Sequence, residues 1–360
     1  MIIGIDASPL IRSEYTGTEW YCYFILLSLS KLPDAEKHTW ILYVPHEKFS
    51  QKLELPSNWK VKKLSWPLMS GWLRGRLTLE MLISPVDIFF APANILPYFT
   101  PERTFTTIHD VGFVKNSELY SMKEYNTLIT SFKRALKKAK TIITISQFSK
   151  QEIHSFHPNA NVSITMLNRK ESKNTKEILP QIFNKPYIVF LGRITPKKNL
   201  TLLLDAWINL KKDKKFTQYS CYVVGRIDSS NVSLLEKLSN QKKHDFYYVP
   251  WISEKYSYTL LKEASAFIFP TLYEGFGMPL LEAQDAQVPV VCSNISVNHE
   301  IAGKGAVYFD LQNPIDLTDK IRAVLTDSHL RNSIIEAGNS NLKRYSWNKT
   351  AELTINILLS

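Results

Sequence analysis

Cysteine and long apolar runs are both scarce in this sequence of 360 residues. The three cysteines, Cys22, Cys221 and Cys292, are scattered through apolar segments, which argues against a disulfide framework or a zinc site. No stretch approaches the roughly 18 apolar residues that span a membrane, and MIIGIDASPL lacks the pattern of a signal peptide. We therefore expect a cytoplasmic protein, with peripheral attachment to the inner face of the cytoplasmic membrane as an open alternative.

Several sequence motifs that bind nucleotides or metals are also missing. The chain contains no Gly-x-x-x-x-Gly-Lys-Ser/Thr loop and no Gly-x-Gly-x-x-Gly fingerprint, which argues against ATP hydrolysis and nicotinamide chemistry. No Asp-x-Asp pair follows a predicted strand. We therefore expect neither a metal ion nor an organic cofactor.

Acidic residues are fewer than basic ones, 33 against 44, which gives a net charge of +11. This excess favours an anionic partner, either nucleic acid, a phosphorylated small molecule or an anionic membrane surface. The aromatic content of 12% would fit nucleic acid. However, no zinc spacing, RNP-like strand or helix-turn-helix pattern accompanies it, and we expect no nucleic-acid partner.

Short apolar runs alternate with amphipathic stretches along the whole chain. Runs such as PYIVFL are typical of strands buried on both faces of a parallel sheet, and their alternation with helical patterns predicts two doubly wound, Rossmann-like α/β domains. We place the domains at 1–170 and 186–343, with a polar linker at 171–185 and a final helix within 344–360 that packs back on the N-terminal domain. Because ligands of such sheets bind beyond the carboxyl ends of the strands, we expect the site in a cleft between the domains.

Two glutamates flank a glycine-containing turn in PTLYEGFGMPLLEA, residues 270–283. Glu274 follows a predicted strand, Gly275 and Gly277 allow close approach of a ligand to the backbone, and Pro279 fits the first turn of a helix. We place Glu282 in that first turn. The two carboxylates can accept hydrogen bonds from separate hydroxyls of one polyhydroxylated ligand, although either glutamate alone could be a solvated surface group.

A second loop, FLGRITPKKNL at 190–200, carries basic residues after a predicted strand. Arg193 offers a planar fork and Lys198 a point charge, and a helix is predicted to begin near Asn199. Together they fit a diphosphate. The alternative is a solvated, basic start of a helix.

These two loops together resemble the retaining, nucleotide-sugar-dependent glycosyltransferases of the two-domain GT-B fold. The group is glycosyltransferase family 4-like and includes sucrose synthase-like enzymes and bacterial polysaccharide mannosyltransferases. The resemblance covers nearly the whole chain and rests on Glu274 and Glu282 as a Glu-x7-Glu motif, on Arg193 with Lys198, and on the Tyr-Ser-Trp step at 345–347.

The resemblance implies a role for each matching residue. Arg193 and Lys198 would bind and stabilise the diphosphate, Glu274 would hold the donor sugar, and His109, after a strand, would contact that sugar unless it is simply a packed histidine. The donor-binding residues that it implies are Gly17, Gly225, Ile252, Gly275, Phe276, Gly277, Met278 and Glu282, of which Glu282 would bind the ribose. One departure is the run Ala-Gln-Asp-Ala-Gln at 283–287, where the family has small residues and a glycine.

The implied activity is transfer of a hexose from a nucleotide sugar to a hydroxyl of an oligosaccharide or lipid-linked acceptor, with retained configuration and without metal. GDP-mannose is the leading donor, and UDP- and dTDP-sugars stay open. The segments 66–77 and 131–140 are basic and amphipathic and would fit an anionic membrane surface, unless they pack or form a solvated helix face. The alternatives are a catalytically silent scaffold of the same fold and a nucleotide-sugar epimerase; the oligomeric state cannot be read.

Overall fold

The computed structural model describes residues 1–12, 15–45, 53–68, 71–170, 178–180, 183, 186–227 and 232–360. The chain divides into two compact units. The first comprises Met1–Leu167 and Ser346–Ser360, and the second comprises Asn168–Tyr345. Most of the predicted linker, 171–185, lies outside the described residues.

The first unit is built on a parallel sheet of seven strands in the order β3-β2-β1-β4-β5-β6-β7. Its strands are β1 (Ile2–Asp6), β2 (Thr39–Val44), β3 (Trp59–Lys63), β4 (Ile88–Ala91), β5 (Thr104–Ile108), β6 (Thr141–Thr144) and β7 (Val162–Ile164). The three strands β4, β5 and β6 are buried along their whole length, as expected where helices cover both faces of a sheet. The helices of this part of the chain are α1 (Gly17–Leu29), α2 (Pro33–Glu36), α3 (Arg76–Ile83), α4 (Gly112–Lys115), α5 (Met122–Lys138) and α6 (Gln147–Phe156).

The second unit is built on a parallel sheet of six strands in the order β10-β9-β8-β11-β12-β13. Its strands are β8 (Tyr187–Leu191), β9 (Ser220–Val224), β10 (Phe246–Val249), β11 (Ala266–Phe269), β12 (Val290–Ser293) and β13 (Val307–Phe309). Its helices are α7 (Leu200–Leu210), α8 (Val232–Ser239), α9 (Glu254–Lys262), α10 (Met278–Asp285), α11 (Ser296–Ala302), α12 (Pro314–Thr326) and α13 (Ser328–Leu342). The direction of strand order reverses between β8 and β11, and such a reversal opens a ligand-binding crevice at the carboxyl ends of the two strands.

The last helix, α14 (Trp347–Leu359), belongs to the first unit. The Trp347 ring stacks on Phe24 of α1, with centroids 5.1 Å apart, and the Thr350 hydroxyl donates to the carbonyl of Met166. The Arg103 guanidinium donates to the carbonyl of Leu358 at 2.9 Å. The structure therefore confirms two doubly wound parallel sheets, and the chain returns to the first of them at its end.

Candidate active site

Two loops at the switch point of the second sheet carry the residues predicted to bind the diphosphate and the donor sugar. One follows β8 and contains Arg193 and Lys198, and the other follows β11 and contains Glu274. The two strands pair directly, with Ala266 opposite Ile188. Because parallel strands end at the same edge of a sheet, the loops lie side by side, and the Leu272 N–H donates to the carbonyl of Lys197 at 2.8 Å.

The Lys198 ammonium and the Glu274 carboxylate form an ion pair between these loops. Their side chains are only 13% and 10% exposed. The Lys198 Nζ also lies 5.2 Å from the centroid of the Phe269 ring, at the end of β11. The structure thus brings together a residue predicted to stabilise the diphosphate and one predicted to hold the donor sugar, both of them catalytic candidates, in a place where charge is poorly screened by water.

The segment from Gly275 to Met278 presents main chain at the start of α10. Gly277 has a φ of +99°, which favours glycine, and it forms the N-cap of the helix. The side chains of Phe276 and Met278 are buried, and the Phe276 ring meets Tyr345 edge-to-face at 5.9 Å. Any contribution of these two residues to a ligand therefore comes from their main-chain groups, at the positive end of the helix dipole.

Two glycines meet at the ends of β8 and β9. Gly192 and Gly225 have φ values of +150° and +147°, and a Cβ atom on Gly225 would lie 1.8 Å from the Gly192 carbonyl oxygen. No residue with a side chain fits at Gly225. The exposed Arg193 follows directly after this contact, and the half-buried Ile252 lies in the loop between β10 and α9, at the same edge of the sheet.

Glu282 lies in the second turn of α10, so its predicted position in the first turn was wrong. The helix begins at Met278, directly after Gly277, and Glu282 is its fifth residue. Its side chain is 11% exposed, and its Oε1 lies 3.6 Å from the Nζ of Lys170. Burial raises the pKa of Glu282, while the charge of Lys170 acts in the opposite direction.

The unusual residues after Glu282 have specific partners. The Gln284 amide donates to the carbonyls of Ala302 and Gly305, and its oxygen accepts from the Asn341 amide at 2.9 Å. Asp285 forms an ion pair of 2.9 Å with Arg169. The departure from the family pattern at these positions is therefore compensated within the second unit.

His109 follows β5 in the first unit and is held on two sides. Its Nε2 lies 3.0 Å from the carbonyl of Pro92, and its ring meets Tyr21 edge-to-face at 4.9 Å. Because a carbonyl only accepts, Nε2 carries the proton, and burial lowers the pKa of the imidazole. A neutral ring in this orientation can accept a hydrogen bond from a sugar hydroxyl at Nδ1.

Charged residues that sequence reasoning missed lie close to Gly17 in the sequence, at the end of β1 and in the first turn of α1. Gly17 is the first residue of α1 and has open space around it. Next to it, buried Glu19 accepts from the Thr16 N–H at 2.9 Å and pairs with Arg12 at 2.9 Å. At the end of β1, burial raises the pKa of Asp6 to about 6, although hydrogen bonds from Ser8 lower it. A buried aspartate directly after a first strand is the signal that could have marked this position.

The first segment predicted to dock on a membrane is mainly packed. Trp72 and Leu73 lie against an apolar core cluster, and the Trp72 indole N–H donates to the carbonyl of Leu64 at 2.7 Å. Arg76 is neutralised by Glu80 at 2.9 Å. Leu68 is exposed, whereas Met69 lies outside the described residues.

The second such segment, 131–140, is the C-terminal half of α5 and the two residues that follow it. Phe132 and Ala135 are buried, and Lys133, Lys137 and Lys138 are exposed, which is the arrangement of a helix with a basic solvent face. Within the described part of the chain, no helix is long and apolar enough to cross a bilayer. No group of three or more His, Cys, Asp or Glu side chains there could hold a metal ion, and metal independence stays a prediction.

Comparison with known proteins shows which family this chain is similar to. Residues 171–341 match the family model described as "Glycosyl transferases group 1". The chain is 27% identical over 280 residues to the O-antigen chain mannosyltransferase B of Escherichia coli, an alignment that spans 75% of this chain and 73% of that protein.

Solved structures show the same fold at low sequence identity. WaaG, a glycosyltransferase involved in lipopolysaccharide biosynthesis, superposes with a TM-score of 0.72 at 14% identity over 99% of both chains. Anabaena HepE, solved in complex with UDP and glucose, superposes with a TM-score of 0.73 at 14% identity over 100% of this chain and 99% of that one. The protein thus has the GT-B fold and is similar in sequence to glycosyltransferases. Residues 171–341, which make up most of its second unit, are similar to the group 1 glycosyltransferases.

Proposed function

We propose that this glycosyltransferase moves a hexose from a nucleotide sugar to a hydroxyl of a growing glycan in bacterial surface polysaccharide synthesis. The observation that carries the proposal is the Lys198–Glu274 ion pair between the loops after β8 and β11. It places a cation for the diphosphate beside a carboxylate for the sugar. Mannose from GDP-mannose is the leading donor, because the relative named above is an O-antigen mannosyltransferase.

The chemistry that these residues would perform is mainly electrostatic. As the bond between the sugar and the phosphate breaks, negative charge accumulates on the departing nucleoside diphosphate. Arg193, Lys198 and the N-termini of α7 and α10 supply positive potential at the carboxyl edge of the sheet, where preorganised charge is most effective. As the diphosphate engages Lys198, Glu274 becomes available to accept hydrogen bonds from sugar hydroxyls.

Retention of configuration and independence of metal are further parts of the proposal. The cationic side chains take the place of a divalent ion, and the departing phosphate assists attack by the acceptor on the same face of the sugar. Glu274 and Glu282 would not act as the acid and nucleophile of a glycosidase, since such a pair must flank a single bond. Here, Glu274 is paired with Lys198 and Glu282 lies beside Lys170.

A lipid-linked acceptor on an anionic membrane is the substrate that fits the surface of the first unit. The apolar residues Leu79, Leu82 and Ile83 of α3 are exposed, Ile83 to 72%. The loop after β4 adds exposed Tyr98 and Phe99. The Tyr98 N–H donates to the Thr78 hydroxyl at 2.8 Å, which joins this loop to α3.

Basic groups lie next to these apolar side chains. The Arg134 guanidinium of α5 donates to the carbonyl of Pro97 and lies 5.0 Å from the centroid of the Tyr98 ring. Exposed apolar side chains beside a basic group are typical of binding at the interface of an anionic bilayer. We expect co-sedimentation with vesicles that contain about one third anionic lipid, weakened by added salt and by Leu82→Ser with Ile83→Ser. Equal binding of the double variant would contradict this surface.

The test of the proposed activity is a transfer assay with GDP-mannose and with UDP- and dTDP-sugars, using lipid-linked glycans from bacterial membranes as acceptors. We expect a product that is heavier by one hexose, has the anomeric configuration of the donor sugar by NMR, and forms in the presence of a chelator. Glu274→Gln should abolish it. An isomerised donor without transfer would indicate an epimerase, and binding without any turnover would indicate a scaffold.

A further inference from the structure

A short segment at the start of the second unit is held against α10 by two ion pairs. Arg169 pairs with Asp285 at 2.9 Å. The next residue, Lys170, places its Nζ 2.7 Å from Glu254 of α9 and 3.6 Å from Glu282 of α10. Because Asp285 and Glu282 are three residues apart, they lie on one face of the helix, and the two basic side chains meet them in order.

Lys170 balances the charge of Glu282, and its side chain and main chain both favour the ionised carboxylate, but one carboxylate oxygen still has room for a donor. A separation of 3.6 Å exceeds the length of an N–H···O hydrogen bond. Within the described part of the chain, the buried Oε1 of Glu282 makes no hydrogen bond. A buried acceptor without a donor is costly unless a ligand completes it, and a ribose hydroxyl is the donor that the proposed function provides.

We propose that Lys170 is a positioning residue for the nucleotide, which holds Glu282 ionised and oriented so that its carboxylate accepts hydrogen bonds from the ribose. This inference rests on the proposed function. Lys170 would act through Glu282, while Glu254 anchors the lysine from the other side. The sequence assigned Lys170 no role, because its two carboxylate partners lie 84 and 112 residues further along the chain.

The charged groups around Glu282 define a pH dependence. Burial raises the pKa of Glu282, Lys170 lowers it, and Glu254 raises it. The adjacent Arg169–Asp285 pair is internally balanced. Loss of Lys170 therefore removes the stabilising cation and leaves Glu254, so the pKa of Glu282 rises further. A protonated carboxyl presents one oxygen fewer to the ribose, and nucleotide binding should weaken as the pH falls.

The experiment is calorimetric titration of the full chain with GDP and UDP from about pH 8.5 to about pH 5, for the wild type, Lys170→Met and Lys170→Arg. For the nucleotide that binds, we expect Lys170→Met to weaken binding about tenfold near pH 6 and much less at pH 8.5. Lys170→Arg should restore the wild-type profile. The 2′-deoxy form of the nucleotide should show a smaller difference between the variants.

Two further variants separate this role from a general loss of charge or structure. Lys320→Met removes a lysine from a surface pair in the same unit and should leave the pH profile unchanged. With Glu282→Gln, which cannot titrate, adding Lys170→Met should produce no further pH dependence. A Lys170→Met profile that is parallel to the wild type would overturn the inference, while failure of the wild type to bind any nucleotide would overturn the proposed function itself.

Discussion

The ion pair between Lys198 and Glu274 allows a quantitative test of the site. We consider three variants, Lys198→Met, Glu274→Gln and the double variant. Each single change removes one charge of the pair, in a position where both side chains are about nine-tenths buried. The double variant leaves two neutral groups of similar size.

The magnitude follows from the burial of the pair. Removing one partner of a buried ion pair typically costs about 3 to 5 kcal/mol. Since about a tenth of each side chain still contacts water, we expect about 2 to 4 kcal/mol for Lys198→Met. For a unit of this size, at about 3 °C per kcal/mol, that corresponds to a fall in Tm of about 6 to 12 °C. The double variant should recover about 2 kcal/mol of the sum of the single effects, because no lone charge remains.

Chemical denaturation followed by circular dichroism measures these free energies of unfolding, and Lys320→Met provides the control for a pair near the surface. We expect all three site variants to lack transfer activity, including the double variant that regains stability. Strictly additive effects, or a cost of Lys198→Met below about 0.5 kcal/mol, would show that the two groups do not interact as described.

Three other predictions address the remaining predicted residues and Asp6. Gly225→Ala should destabilise the second unit by about 3 kcal/mol or more in thermal denaturation and abolish donor binding, because its Cβ would lie 1.8 Å from the Gly192 oxygen. The control is Gly17→Ala, whose Cβ would have no atom within 4 Å and which should be nearly neutral for stability. The pKa of Asp6 is raised from 3.8 to about 6 in the folded chain, so the stability that its protonated form contributes is complete below pH 3.8 and is lost as the pH rises through 6. In chemical denaturation, the stability of Asp6→Asn relative to the wild type should therefore increase by up to about 3 kcal/mol between pH 4 and pH 7.5. A difference that does not depend on pH would contradict this. His109→Ala should lower kcat for transfer with little change in nucleotide affinity, and a parallel loss of both would place His109 in packing alone.

The fold could be predicted because each strand is marked by a short apolar run in the sequence. Runs such as AFIF at 266–269 are buried throughout, and the residues that follow parallel strands must lie at one edge of a sheet. The positions of Arg193, Lys198 and Glu274 at that edge follow from this rule. The requirement for glycine at position 225 was harder to predict, because the carbonyl that excludes a side chain there belongs to Gly192, at the end of the neighbouring strand β8.

Other features depended on contacts that no local pattern contains. The left-handed backbone of Gly277 sets the start of α10 at Met278, so Glu282 lies in the second turn and not in the predicted first turn. The composition of 66–77 suggested a segment that binds a membrane. In the structure, however, Trp72 packs within its own unit, where its indole N–H donates to the carbonyl of Leu64. Lys170 could not be recognised from the sequence because its partners are contributed by α9 and α10.

The most direct test of the central claim is titration calorimetry of the wild type and of Arg193→Ala with GDP-mannose, UDP-glucose, dTDP-glucose and ADP-glucose, each with and without a chelator. The proposed site predicts that one nucleotide class binds the wild type, that the chelator has no effect, and that Arg193→Ala loses binding while it stays folded. If the folded wild type binds none of these donors, the assignment of Arg193, Lys198, Glu274 and Glu282 to a nucleotide sugar is wrong.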